Sequence, residues 1–160
     1  MGYVGRSRHT HARAGLADAQ ETGLAQAFTI CIVDDDDDVR ESISSFFRSV
    51  GLRVVGFGSA ETFLSSATIA EAACLITDLH MPGMDGLGLH RELLRRGVDV
   101  PVIVMTAYST PEARAEARHL GAAAFVEKPV DPEILLQDVE TVLRDAPADN
   151  REPNRPGPQS

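Results

Sequence analysis

Residues 28–38 read Phe28-Thr29-Ile30-Cys31-Ile32-Val33-Asp34-Asp35-Asp36-Asp37-Asp38. A short apolar run that stops in acids is the pattern of a strand buried in a parallel sheet, with its carboxyl end opening to solvent. The period then changes. Val39, Ile43, Phe46, Phe47 and Val50 fall at helical spacing over Val39–Val50, and Gly51 suits a helix stop. The same alternation continues down the chain. Leu52–Phe57 is predicted as a second strand, followed by a short helix capped by Ser59 and running to the region of Ala67. Cys74–Thr77 is a third strand, and Leu87–Arg96 a helix that ends at Gly97. Val102–Thr106 is a fourth strand. Thr110-Pro111 then offers an N-cap with proline in the first turn, and Gly121 closes that helix. Ala123–Val126 is a fifth strand, and Asp131-Pro132-Glu133 opens a last helix reaching Arg144. Five strands alternating with five helices predict an α/β fold, a doubly wound parallel sheet with helices on its faces. Right-handed crossovers leave few topologies.

Outward from this region the composition changes. The chain has 160 residues and a net charge of −9, with 43% hydrophobic and 24% charged residues, ordinary for a soluble domain. Residues 27–145 hold 20 acidic against 10 basic side chains, whereas residues 1–26 carry +1 and residues 146–160 are neutral. Such an acidic unit repels phosphate backbones, so no direct nucleic-acid contact is expected. Residues 1–26 lack a sustained apolar period and are expected to form a flexible arm, with His9 and His11 solvated. Residues 146–160 hold four prolines and are expected to be a disordered tail. The domain itself is expected to span 27–145. Cys31 and Cys74 sit in apolar runs outside any C-x-x-C and read as buried thiols in a reducing compartment. No apolar run is long enough to cross a bilayer, and residues 1–26 lack the apolar core of a secretory signal. A cytoplasmic protein is expected by elimination.

In sheets of this kind the site lies beyond the carboxyl ends of the strands. There the sequence places Asp34 and Asp35 at the end of the first strand, Asp78 at the end of the third, Thr106 at the end of the fourth and Lys128 shortly after the fifth. Lys128 is the only lysine in the chain; the other 14 basic residues are arginines. Two carboxylates about 5 Å apart repel by roughly 3 kcal/mol at an effective dielectric near 20. Three together need a cation or a proton. All-oxygen ligands few in number favour Mg²⁺. A lysine and a hydroxyl facing such an ion suit a phosphoryl group. No nucleotide-binding G-x-x-x-x-G-K-[ST] is present, and Gly56-Phe57-Gly58 alone is too little for one. The phosphoryl group is therefore expected to arrive from another protein or a small donor, with a carboxylate accepting it covalently. The acidic run is not a calcium loop. Val39 and Ser45 stand where Gly and Glu would be required.

Four stretches now carry a resemblance: Ile32-Val33-Asp34-Asp35, Thr77-Asp78-Leu79-His80-Met81-Pro82-Gly83-Met84-Asp85-Gly86, Val104-Met105-Thr106-Ala107 and Phe125-Val126-Glu127-Lys128-Pro129. Over about Phe28–Arg144 the chain resembles the CheY-like receiver domain of bacterial response regulators. Val39-Arg40-Glu41-Ser42 and Gly58-Ser59-Ala60-Glu61 are most similar to the FixJ-type subgroup. The resemblance implies a flavodoxin-like sheet with strand order 2-1-3-4-5. It implies that Asp78 accepts a phosphoryl group from a sensor histidine kinase or phosphotransfer protein. Mg²⁺ would be held by Asp34, Asp35, Asp78 and the backbone carbonyl of His80. Lys128 and Thr106 would engage the phosphoryl oxygens, Phe125 would swing inward with Thr106, and the Lys128–Pro129 bond would be cis. The output would be a protein-binding face built by the fourth helix, fifth strand and fifth helix. The domain would catalyse only its own phosphorylation and dephosphorylation.

His80 and Tyr108 each lie two residues beyond a site residue and are expected to flank it, with Tyr108 shielding it from water. FixJ-type regulators continue into a helix-turn-helix output domain, and no such basic helix is present here. A single-domain regulator acting by protein contact is expected. Glu112, Arg114, Glu116 and Arg118 could lace a phosphorylation-dependent homodimer, although a solvated helix is the plainer reading. Two alternatives stand beside this. A phosphatase of the haloacid-dehalogenase type would want an acid where His80 stands. An unphosphorylated docking module would have no need of the intact Asp35, Asp78, Thr106 and Lys128.

Overall fold

The computed structural model describes residues 28–145. The expected arm and tail lie outside the described residues. Five strands, β1 (Thr29–Val33), β2 (Arg53–Phe57), β3 (Ala72–Asp78), β4 (Val102–Thr106) and β5 (Ala124–Glu127), form one parallel sheet in the order β2-β1-β3-β4-β5. The helices are α1 (Asp37–Ser49), α2 (Ala60–Leu64), α3 (Gly86–Arg95), α4 (Pro111–Leu120) and α5 (Pro132–Asp145). This is the flavodoxin-like α/β arrangement.

The strand period of two explains the layers. Ile30 and Ile32 of β1 pack with Phe47 of α1 and Leu135 and Val139 of α5. Cys31 and Val33 point the other way, to Phe63 of α2, Leu89 and Leu93 of α3 and Ala117 of α4. Every residue of β1 is buried because both faces are covered. Cys31 and Cys74 belong to opposite layers, so both thiols stay free. Burial pushes Cys31 up to about 12, an inert thiol. Among the described residues no helix is long and apolar enough to cross a membrane.

Some boundaries differ from the sequence pattern, for local reasons. Helix α1 starts at Asp37 rather than Val39, because Asp36 caps it. Its Oδ1 accepts the N–H groups of Asp38 at 2.9 Å and Val39 at 3.2 Å. Strand β3 begins at Ala72, earlier than Cys74, and β5 is displaced by one residue. The second helix stops at Leu64 and is followed by a 3₁₀ turn over Ala67–Glu71. Ser65 and Ser66 interrupt it by bonding local backbone, Ser65 Oγ to the Glu61 carbonyl and Ser66 Oγ from the Thr68 N–H.

The start and stop of α4 follow the sequence closely. Thr110 Oγ1 accepts the Ala113 N–H at 3.1 Å, Pro111 sits in the first turn, and Gly121 takes the left-handed conformation at φ +89°. Thr110→Ala is therefore expected to cost about 1 kcal/mol of stability. A urea melt of the variant beside Thr110→Ser checks this, since serine should restore most of the loss.

Candidate functional site

The five parallel strands end at one edge, and four of them place the chemistry there: Asp34 and Asp35 follow β1, Asp78 and Thr106 close β3 and β4, and Lys128 follows β5. Asp34 is 0% exposed and tied on every side. Its N–H continues the sheet by donating to the Phe57 carbonyl at 3.0 Å, and its Oδ1 accepts the Asp36 N–H at 2.9 Å. Its Oδ2 accepts from Lys128 Nζ at 2.9 Å. The same Nζ lies 3.3 Å from Asp78 Oδ1. Asp35 is exposed beside them, and carboxylate oxygens of Asp34, Asp35 and Asp78 lie within 4.8 Å of one another.

Three carboxylates against one ammonium leave two negative charges uncompensated. That is the charge of one divalent cation, and the all-oxygen donor set is of the hard kind such a cation prefers. The electrostatics reflect this crowding. Burial, then the charge of Asp34, holds the Asp78 carboxyl above the usual aspartate range, with Lys128 opposing. Burial works against the Lys128 charge, but the hydrogen bond and charge of Asp34, joined by Asp78, hold it above the usual lysine range.

Lys128 reaches the site because its own N–H donates to the Thr106 carbonyl at 2.8 Å, just past the end of β5. The Lys128–Pro129 bond is cis, as the resemblance implied. Thr106 is buried at the end of β4, and its hydroxyl is already engaged. It donates to the Tyr108 carbonyl and accepts the Tyr108 N–H, both at 2.9 Å. Tyr108 is 74% exposed, and His80 is exposed as well. Phe125 is half-buried in β5, and the Arg114 guanidinium lies 4.7 Å from the centre of its ring. Asp34, Asp35, Asp78 and Lys128 are thus brought together, whereas Phe125 sits beneath α4.

Three residues around the site are not found by reading the sequence. Arg40 donates to the Asp34 carbonyl, Glu61 accepts the Met84 N–H at 3.0 Å, and Arg114 covers Phe125. Each contact joins separate turns or elements, and only the short spacing of Arg40 from Asp37 left a local trace.

Comparison with known proteins agrees with this geometry. The family model for the response regulator receiver domain matches residues 30–140. The chain is 39% identical over 120 residues to the transcriptional regulatory protein FixJ of Azorhizobium caulinodans, covering 75% of this chain and 57% of that protein. It is 40% identical over 122 residues to the response regulator protein TmoT of Ectopseudomonas mendocina, covering 76% and 56%. The chain therefore spans a little over half the length of these curated relatives. Among solved structures, the crystal structure of FixJ-N superposes with a TM-score of 0.67 at 32% identity, covering 76% of this chain and 97% of that one. The chemotaxis protein CheY4 of Vibrio cholerae does so with a TM-score of 0.67 at 26% identity, covering 72% and 98%. Since one family match takes in nearly all the strands and helices described above, this chain belongs to the response regulator receiver domain family.

Proposed function

We propose that this chain is a phosphorylation-switched signalling module that accepts a phosphoryl group on Asp78 from the phosphohistidine of a sensor kinase or phosphotransfer protein. The observation that carries the reading is Lys128 Nζ set between Asp34 and Asp78 inside the acidic triad. An Asp78 carboxylate oxygen attacks phosphorus, the N–P bond breaks, and its electron pair returns to the imidazole. The product is an acyl phosphate. Asp34, Asp35, Asp78 and the His80 backbone carbonyl would hold Mg²⁺, which neutralises phosphoryl oxygens when bound. Lys128 turns its ammonium from the carboxylates to a phosphoryl oxygen. Thr106 hydrogen-bonds another, and to do so its hydroxyl must leave the Tyr108 carbonyl. Phosphorylation is thereby linked to the backbone of the loop before α4. Phe125 follows Thr106 inward from beneath Arg114, and the α4–β5–α5 face repacks for a protein target or a second copy of this chain. Moving such an equilibrium from 1:99 to 99:1 takes about 5.5 kcal/mol of differential contact.

Receiver domains are signalling modules rather than classical enzymes, and this chain is expected to turn over no generic phosphate ester. Its action is by protein contact in the cytoplasm, without touching nucleic acid, in keeping with 20 acidic against 10 basic side chains over residues 27–145. The test is intact mass after incubation with acetyl phosphate. One phosphate is expected on the wild type with Mg²⁺, and none without Mg²⁺ or on Asp78→Asn. A wild type left unmodified by both acetyl phosphate and a phosphorylated histidine kinase would favour the docking module.

The shielding role of Tyr108 has its own readout. Its exposed ring stands on the backbone that Thr106 must release. Tyr108→Ala is expected to speed loss of the phosphate several-fold, followed by mass after the donor is removed. An unchanged decay rate would sink the idea.

A further inference from the structure

Two stretches of the sequence have no part in the chemistry above, Val39-Arg40-Glu41-Ser42 and Gly56-Phe57-Gly58. The structure joins them. Arg40, in the first turn of α1, lays its side chain across the end of β2. Nη1 donates to the Asp34 backbone carbonyl at 2.6 Å, and Nη2 donates to Asp37 Oδ1 at 2.5 Å. A Cβ on Gly56 would come within 3.0 Å of Arg40 Cδ and 3.2 Å of Cγ, and one on Gly58 within 3.7 Å of Nη1. The glycines leave the lane that the arginine stem fills. Its side chain is only 24% exposed.

The carbonyl that Nη1 engages belongs to the peptide unit joining Asp34 to Asp35. The Asp34 N–H and carboxylate have other anchors, in Phe57, Asp36 and Lys128. The Arg40 bond instead grips the plane from which Asp35 extends, and Asp35 is the exposed member of the triad.

We infer that Arg40 is a positioning residue for the divalent-cation site, holding the Asp34–Asp35 peptide in the orientation that presents the Asp35 carboxylate to the ion. This rests on the metal reading given under Proposed function. Charge and position make opposite forecasts. A guanidinium beside three carboxylates competes with a cation, so acting by charge alone its removal would tighten Mg²⁺ binding. Acting by position, its removal weakens binding, as loss of a residue that orients a ligand commonly does, by about tenfold.

The experiment is calorimetric titration of MgCl₂ into the full chain, for wild type, Arg40→Gln, Arg40→Lys, Gly56→Val and Asp35→Asn, with the metal-free Tm of each measured in EDTA. Arg40→Gln is expected to bind Mg²⁺ about tenfold more weakly. Arg40→Lys keeps the charge but lacks the fork that spans Asp34 and Asp37, so it too weakens binding. Gly56→Val keeps every charge and crowds the arginine stem, with an effect in the same direction. A merely structural role would lower Tm while leaving the affinity of the folded protein unchanged. Unchanged or tighter binding by Arg40→Gln, or wild-type affinity in both Arg40→Lys and Gly56→Val, overturns the inference. A wild type that binds no Mg²⁺, or binds it no better than Asp35→Asn, overturns the metal reading and the role of Arg40 with it.

Discussion

Asp78→Asn is expected to abolish the phosphate adduct completely and, in the absence of metal, to make the fold more stable. The first effect follows from chemistry. An amide oxygen is a poor nucleophile toward phosphorus, and in the proposed mechanism the exposed Asp35 serves as a cation ligand rather than as an acceptor. The second follows from the crowding at the strand ends. Asp78 is nearly buried, its carboxyl is held above the usual range first by burial and then by Asp34, and Lys128 is shared between the two acids. Asparagine keeps the volume, removes the repulsion and leaves Lys128 to Asp34, for a gain of about 1 kcal/mol after the lost Lys128 contact is set against the repulsion. The pH dependence has a definite sign. Where the folded carboxyl titrates above the unfolded one, the native state binds more protons, so this group makes stability fall as pH rises. Below the unfolded value, near 3.8, both states are protonated and the variant gains nothing. The gain grows as pH rises from the unfolded value through the raised folded value and is complete above it. Urea melts of both proteins in EDTA, over a pH series, test this. An asparagine variant less stable than wild type at neutral pH would refute the account, and added Mg²⁺ is expected to stabilise the wild type more than the variant.

Gly86→Ala is expected to be the most damaging small substitution near the site, at about 3 kcal/mol. Gly86 is the first residue of α3, and its N–H donates to the Leu79 carbonyl at 2.9 Å. A Cβ there would lie 2.4 Å from the Asp78 carbonyl oxygen and 3.1 Å from both the Asp78 carbonyl carbon and Leu79 Cα. All three are backbone atoms, so no side chain can turn aside. Helix α3 must move off the end of β3, and Asp78 stands at that end. The variant should lose stability and phosphorylation rate together, with Tm down by more than about 10 °C. Gly97→Ala is the control. Gly97 has open space where a Cβ would go and only its φ of +75° to object, so it should cost about 1 kcal/mol and leave phosphorylation unchanged. If Gly86→Ala melted like Gly97→Ala, the close approach of α3 to β3 would not be holding the site.

The five consecutive aspartates show how far sequence reading reaches. Alike in chemistry, they have separate fates. Asp34 is buried against Lys128, Asp35 is exposed in the triad, Asp36 caps α1, Asp37 pairs with Arg40 and Asp38 lies in the first turn. Asp78 and Lys128 at the same strand edge set the first two apart, and the last three suit a helix start, because strand ends and helix N-termini are local properties of neighbouring residues. The caps at Ser59, Thr110 and Asp131 are legible for the same reason, each bonding an N–H two or three residues on. So are the five strands and the edge at which Asp34, Asp35, Asp78, Thr106 and Lys128 gather. Strand order came with the family resemblance, since periodicity does not say which strands are neighbours.

What tertiary structure alone decided is how those side chains are committed. Lys128 is shared by two acids, one of them 94 residues away. Thr106 gives its hydroxyl to Tyr108, Phe125 lies under Arg114, and Arg40 runs through the space left by Gly56 to reach the Asp34 carbonyl. Residue types and their spacing determine which helices and strands form and which groups arrive at the sheet edge. The partner each group takes there depends on distances of about 3 Å between elements far apart in the chain. Those distances are set only when the two faces of the sheet are packed.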